Sequence, residues 1–274
     1  MRSLYYYFQM ARFQHVLMGS LTALVVVTLS AGSDTAKVFS PLAVALQIMG
    51  ASLYYFAVAN KMYILKNQHY ALSKGRVLVT GLVGLASMLA GVLISIFWLN
   101  KSCVYITVFN TLAIVFYKDI ISKWWLSKNI VMGVVCTSPV IIAWWAGMDT
   151  HPSVPWGTAV VFFVYLAREI VKDIQDVDVD RGLRKTLALQ CDVGVARVVA
   201  GTLILAGLSC LLKMLVTIPV GQYHLLIPLL LSVFHFTRVM LRLLFARAID
   251  ASNLSKQILL GSTWLIVTFA LMLL

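Results

Sequence analysis

Only ten of the 274 residues are acidic, and five of them, Glu169, Asp173, Asp176, Asp178 and Asp180, fall within twelve positions. The run reads R-E-I-V-K-D-I-Q-D-V-D-V-D-R from Arg168 to Arg181. If a helix continues through it, residues advance by about 100° each. Glu169, Asp173, Asp176 and Asp180 then share one face, and Asp178 points elsewhere. Carboxylates three and four residues apart on a helix repel one another, so such a ridge calls for a positive partner. Mg²⁺ suits the role, because it is a hard, oxygen-seeking ion commonly held by carboxylates together with phosphate. A solvated helix end accounts for the same run, with Arg168, Lys172 and Arg181 forming salt bridges. The residues alone leave both readings open.

The other residue types capable of chemistry are scattered. Cys103, Cys136, Cys191 and Cys210 have no metal-like spacing, and three lie in or beside apolar runs; they read as small packing residues. His15, His224 and His235 show no ligand spacing. Arg238 and Arg242 fall near the end of an apolar run, where long basic side chains can reach toward the membrane surface.

The acidic run has to be positioned by helices in a membrane. Hydrophobic residues make up 61% of the chain and charged ones 12%, against roughly half and a quarter in a soluble domain. The apolar residues come in runs near 15–32, 41–65, 76–98, 103–117, 129–147, 154–171, 195–218, 223–245 and 255–274. About 20 apolar residues cross the hydrocarbon core as a helix, and lipid leaves no other way to satisfy the backbone of such segments. The expectation is an all-α protein with nine transmembrane helices. The run at 103–117 is the shortest. The first run has no small-residue cleavage pattern after it and reads as a retained helix.

Basic residues set the orientation. With nine spans, 19 of the 22 Lys and Arg residues fall on the N-terminal side, and Lys37, Lys101 and Lys213 on the other. The positive-inside rule then puts the N-terminus and the loop carrying the acidic run in the cytoplasm. It also accounts for the net charge of +12 without a nucleic-acid partner. Trp124, Trp125, Trp144, Trp145 and Trp156 fall at span ends, as in an interfacial aromatic belt. No pair of broken helices at matching positions suggests a transporter.

The run from Arg168 through R-G-L-R-K-T-L resembles the second aspartate-rich motif of the UbiA superfamily of intramembrane prenyltransferases. It is most similar to the branch that includes digeranylgeranylglyceryl phosphate synthase. That motif has a D-x-x-D-x-x-x-D cluster after the sixth of nine helices, here Asp173, Asp176 and Asp180. Arg184, Lys185, Thr186 and Leu187 resemble its basic-Thr-Leu ending. Other pieces follow in order along the whole chain. They are Arg12 before H-V-L-M-G-S-L, H-Y-A-L-S-K-G-R-V from His69 to Val77, and Tyr117 and Asn129 bracketing the loop between helices four and five. The resemblance implies one UbiA-like domain over 1–274. Two four-helix halves, about 12–120 and 129–250, and a ninth helix at 255–274 would surround a central apolar cavity. A faint repeat, Arg76-Val77 with Leu82 against Arg197-Val198 with Leu203, fits two similar halves.

The resemblance further implies transfer of a polyprenyl group from an allylic diphosphate to an acceptor that the sequence does not identify. Mg²⁺ would be held by Asp173, Asp176 and Asp180. Substrate contacts would fall to Asn60, Lys61, Lys66, Arg76, Tyr117, Lys123, Asn129, Arg168 and Lys172. The chain departs from the family at the first motif, N-D-x-x-D-x-x-x-D: Asn60 is followed by Lys61, Met62, Tyr63 and Ile64, so its carboxylates are missing and the loop is shorter. Ser122 also stands where the family's loop Lys would be, with Lys123 beside it. Lys61, Lys66 and Arg76 could take over the diphosphate directly, since a lysine binds phosphate as a point charge. They could equally be ordinary cytoplasmic basic residues. With one motif kept and one lost, two functions stand: an active prenyltransferase, or an inactive relative that binds lipid or serves as a partner subunit.

Overall fold

The structure is a computed structural model that describes residues 13–63, 74–117, 120–147, 151–181, 185–218, 222–246 and 248–273. Side chains 13, 14, 58–63, 74–76, 122 and 179 lie outside that description. Among the described residues there are no strands, and nine long helices fall on the nine expected runs. They are α1 (Phe13–Leu29), α2 (Asp34–Tyr63), α3 (Lys74–Trp98), α4 (Lys101–Val115), α5 (Trp125–Ala146), α6 (Ser153–Gln175), α7 (Val193–Val216), α8 (Leu226–Phe245) and α9 (Ala251–Leu271). Seven are long and apolar enough to cross a membrane, and the apolar helices at His15–Leu29 and Lys101–Val115 are shorter.

Helix starts follow side-chain caps that hydropathy does not register. Asn100, Asp192 and Asp250 each accept a hydrogen bond from a backbone N–H in the first turn of α4, α7 and α9, which satisfies groups the helix leaves open. Ser33 Oγ accepts from Ala36 N at 3.2 Å, so α2 begins seven residues before its apolar run and carries Pro41 inside it. The apolar run marks what lipid can cover. The cap marks where the backbone starts to wind.

The chain forms two compact units. One holds α1–α4 with the part of α5 from Ser138 onward; the other holds α5 through Thr137 with α6–α9. In the first, α2 and α3 pack along a seam of small residues. A Cβ on Gly84 would meet Tyr54 N at 2.5 Å and Gly50 O at 2.8 Å, so the two backbones approach as closely as glycine allows. Gln47, buried on α2, donates to Met88 O at 2.9 Å and to Thr111 Oγ1 at 3.3 Å, tying α2 to α3 and α4. Without a hydrophobic drive between helices in lipid, close packing and such polar links hold them together.

In the second unit α6 packs against α7 and α9, α7 against α8, and α8 against α9. Val160, Val164, Ala167, Ile170 and Val171 of α6 are buried, as are Ile204 and Leu211 of α7, Phe236 of α8 and Phe269 of α9. Arg197, at the start of α7, donates to Leu243 O at 2.9 Å and to Ala246 O, closing the carbonyls left open at the end of α8. α6 is the most enclosed of the seven long apolar helices, and its last turns carry the acidic run.

Candidate functional site

α6 ends at Gln175, and Asp176 has φ −97° and ψ 11°, outside helical geometry. Helical hydrogen bonding nevertheless bridges the break: Asp176 N donates to Lys172 O at 2.9 Å and Asp180 N to Asp176 O at 2.8 Å. A further turn, Val177–Asp180, follows. The four-carboxylate ridge is therefore split. Glu169, Asp173 and Asp180 are buried, while Asp176 and Asp178 are exposed.

Each buried carboxylate of α6 has its own cation. Glu169 pairs with Lys172 one turn on and with Arg168, whose Nη1 lies 3.6 Å away. Asp173 pairs with Lys128, reached from the first turn of α5 and contacting Asp173 Oδ1. The Lys128 and Asp173 side chains are only 4% and 5% exposed, so solvent screens this pair little. Asp178 pairs only loosely with Arg181, at 3.9 Å on the surface. The salt-bridge reading thus holds for Arg168 and Lys172, and the main partner of the motif is a lysine 45 positions upstream.

Asn129, next to Lys128, is 1% exposed. Its carboxamide lies beside the Asp173 carboxylate without the alignment of a full hydrogen bond. Neither its Oδ1 nor its Nδ2 has another partner, and Asp173 Oδ2 has none either. Three buried polar atoms with unmet hydrogen-bonding capacity therefore meet at the end of α6. Native proteins rarely leave such atoms unsatisfied without a reason.

Tyr117 is buried just beyond the end of α4. Lys123 is exposed on the helical turn Ile121–Lys123 and takes no part in the ion pairs of the cluster. Asn60 and Lys61 fall in the last turn of α2 and Arg76 in the first turn of α3, with side chains outside the description. Lys66 and Arg184 lie outside the described residues. Thr186, from the motif's trailing end, is fully buried and caps the helical turn Leu187–Gln190, accepting from Leu189 N at 3.3 Å.

Among the described residues no three His, Cys, Asp or Glu side chains converge to hold a metal by themselves. Mg²⁺ does not require that, since it is commonly bound through one or two carboxylates, with water and substrate phosphate completing its shell. Asp173, with one buried oxygen free of hydrogen bonds, and the buried Asp180 fit that chemistry.

Lys128 is the residue the sequence reading passed over, as one more cytoplasmic lysine. Its signal was local. It sits in the first turn of a helix that has no acidic residue there, and a cation at that end is disfavoured by the helix dipole.

The fold has close counterparts among solved structures. A digeranylgeranylglyceryl phosphate synthase shares 18% identity with a TM-score of 0.78 over 98% of both chains. A UbiA homologue from Archaeoglobus fulgidus, bound to DMAPP and Mg²⁺, shares 12% with a TM-score of 0.69 over 98% of this chain and 99% of its own. An apo UbiA homologue from Aeropyrum pernix K1 shares 15% with a TM-score of 0.67 over 95% and 97%. At such identities the likeness carries the fold alone. No curated protein sequence matches the chain. The sequence profile of the UbiA prenyltransferase family matches residues 69–265, which span α3 through most of α9, and the chain belongs to that family.

Proposed function

We propose that this integral membrane protein transfers a polyprenyl group from an allylic diphosphate to an acceptor, with Mg²⁺ held at Asp173 and Asp180 and the exposed Asp176 beside them. Family membership supports the reaction class, and the Archaeoglobus homologue's DMAPP and Mg²⁺ support the ligand class. The observation that carries the reading is the buried, unsatisfied oxygen of Asp173 beside the unsatisfied carboxamide of Asn129. That arrangement can serve a cation and a phosphate oxygen together.

In the reaction the bond between the allylic carbon and the diphosphate oxygen breaks, and its electron pair leaves with the diphosphate. The acceptor's lone pair forms the new bond to that carbon, and the acceptor loses a proton. Bound Mg²⁺ would supply Lewis-acid neutralisation of the leaving charge. The chain's own part is to hold Asp173 in a water-poor environment, where charges interact strongly. Arg168 and Lys172, both on Glu169, offer further cationic groups for the diphosphate. Lys61, Lys66 and Arg76 would supply positive charge in place of the missing first motif.

The same reading has nine crossings, two four-helix halves with a ninth helix, and the acidic run in the cytoplasm. Cysteine-accessibility labelling at Lys74 and Arg184 should report one side of the membrane; opposite sides would overturn this topology. The binding test is magnesium-dependent protection of the purified protein against heat by geranylgeranyl thiodiphosphate. Asp173→Ala and Asp180→Ala should abolish that protection by removing the linked stabilisation, and unchanged protection in both would defeat the metal assignment. A lipid-binding or partner role without catalysis draws its support from Lys128 filling Asp173 and from the lost first motif. Release of inorganic pyrophosphate from geranylgeranyl diphosphate across a panel of acceptors separates the two.

A further inference from the structure

Lys128 and Asp173 each sit at the wrong end of a helix for their charge. Lys128 is in the first turn of α5, where the helix dipole favours an anion. Asp173 is in the last turn of α6, where it favours a cation. Both are nearly fully buried, which charged side chains tolerate only when paired and hydrogen-bonded. The pair is thus held by mutual attraction, against desolvation and against both helix fields. The lysine's three donors and the two oxygens of Asp173 are not all used, since Oδ2 has no partner. Replacing the ammonium at Asp173 by a metal ion, and placing phosphate oxygens near the first turn of α5, would put each charge at the helix end that favours it. The phosphate would also give the unsatisfied Nδ2 of Asn129 an acceptor.

We infer that Lys128 is a tethered cation that occupies Asp173 when no metal is bound and releases it to Mg²⁺ when a diphosphate arrives to take the freed ammonium. The inference rests on Asp173 being a metal ligand. It makes metal and diphosphate binding mutually dependent. Metal alone must strip an ammonium from a buried pair and leave it without a partner, whereas metal with diphosphate gives that ammonium a new one. Such coupling is reciprocal. Lys128 is then a positioning residue that sets the order and the cation requirement of binding.

The experiment uses the full chain in detergent micelles with Mn²⁺ as a spectroscopically visible stand-in for Mg²⁺, and no diphosphate. Electron paramagnetic resonance counts free Mn²⁺ in a titration. Lys128→Gln keeps a hydrogen-bond donor to Asp173 and removes the charge; Lys128→Arg keeps the charge. Lys128→Gln should bind Mn²⁺ at least tenfold more tightly than the parent, and Lys128→Arg should bind it as weakly as the parent. A merely structural role predicts no tightening of Mn²⁺ binding in Lys128→Gln, whatever stability that variant loses. If Lys128→Gln does not accumulate folded, Lys128→Met carries the same expectation, with Mn²⁺ in the purification buffer to satisfy Asp173. Equal or weaker Mn²⁺ binding by the uncharged variants overturns the inference and leaves Asp173 as a metal ligand. Absence of Mn²⁺ binding by every variant, with geranylgeranyl diphosphate added, overturns the metal assignment itself.

Discussion

The Lys128–Asp173 pair makes a stability prediction whose size follows from its burial. Asp173→Asn keeps the shape of the side chain and removes its charge, leaving the Lys128 ammonium 4% exposed without a counter-ion. Breaking a buried pair from one side costs about 3–5 kcal/mol, most of it the desolvation of the charge left behind. Lys128→Met has the mirror effect on Asp173, and here the neighbouring Asn129 offers only a poorly aligned contact, so the cost should lie in the same range. The double variant Lys128→Met/Asp173→Asn removes both charges at nearly constant volume. Exchanging a buried pair for uncharged groups is often close to neutral, so the double variant should recover most of the loss. The coupling between the two sites should then be about 3 kcal/mol or more, beyond the range usual for surface pairs. Unfolding in mixed micelles, followed by circular dichroism without divalent metal, gives all four free energies of the cycle. If both single variants stay within about 1 kcal/mol of the parent, the two side chains are solvated in the membrane protein and the reasoning from their burial fails.

The seam between α2 and α3 should be intolerant of a methyl group at Gly84, where the new Cβ would press on Tyr54 N and Gly50 O. Gly84→Ala should cost about 1–3 kcal/mol by thermal melting in detergent, and Gly81→Ala, which meets only the Ala57 Cβ at 3.3 Å, should cost less; equal effects would contradict the close approach. At the degenerate first motif, Lys61→Ala with Lys66→Ala should weaken binding of geranylgeranyl thiodiphosphate in EDTA more than tenfold, since a charge-assisted contact is worth about 1.5–3 kcal/mol. Binding as tight as the parent's would make these lysines orientation signals and favour the non-catalytic reading.

The helices were legible because lipid imposes one rule on every residue of a span. A run of apolar side chains long enough to cross has no alternative to a helix, so α3, α7 and α9 appear in the sequence almost at their true lengths. Their ends were less legible. Ser33 and Asn100 start α2 and α4 through single hydrogen bonds, and hydropathy averages over such detail. The acidic run was legible as an unusual local density of charge, and its resemblance to a known motif located it at the end of the sixth helix. Spacing alone could not show that Asp176 leaves helical geometry and turns to the surface while Asp173 and Asp180 stay buried.

What periodicity could not reach was the partner of Asp173. A salt bridge between residues 45 positions apart depends on how two helices are rotated and on the reach of a four-carbon stem, and neither leaves a local pattern. Lys128 did carry a weaker mark, a cation in the first turn of an apolar helix with no acid nearby. Within a span such a residue has to be satisfied by some group from another helix. In a chain with ten acidic residues, half of them in one run, the candidates are few. The same reasoning bears on function. On the proposed function, a chain without carboxylates after Asn60 and with a lysine on Asp173 would use covalently attached positive charge where its relatives' motifs use metal-borne charge. Covalent charge cannot diffuse away when the product leaves. On that reading, turnover would depend on whether Lys128 yields Asp173 to a metal or keeps it.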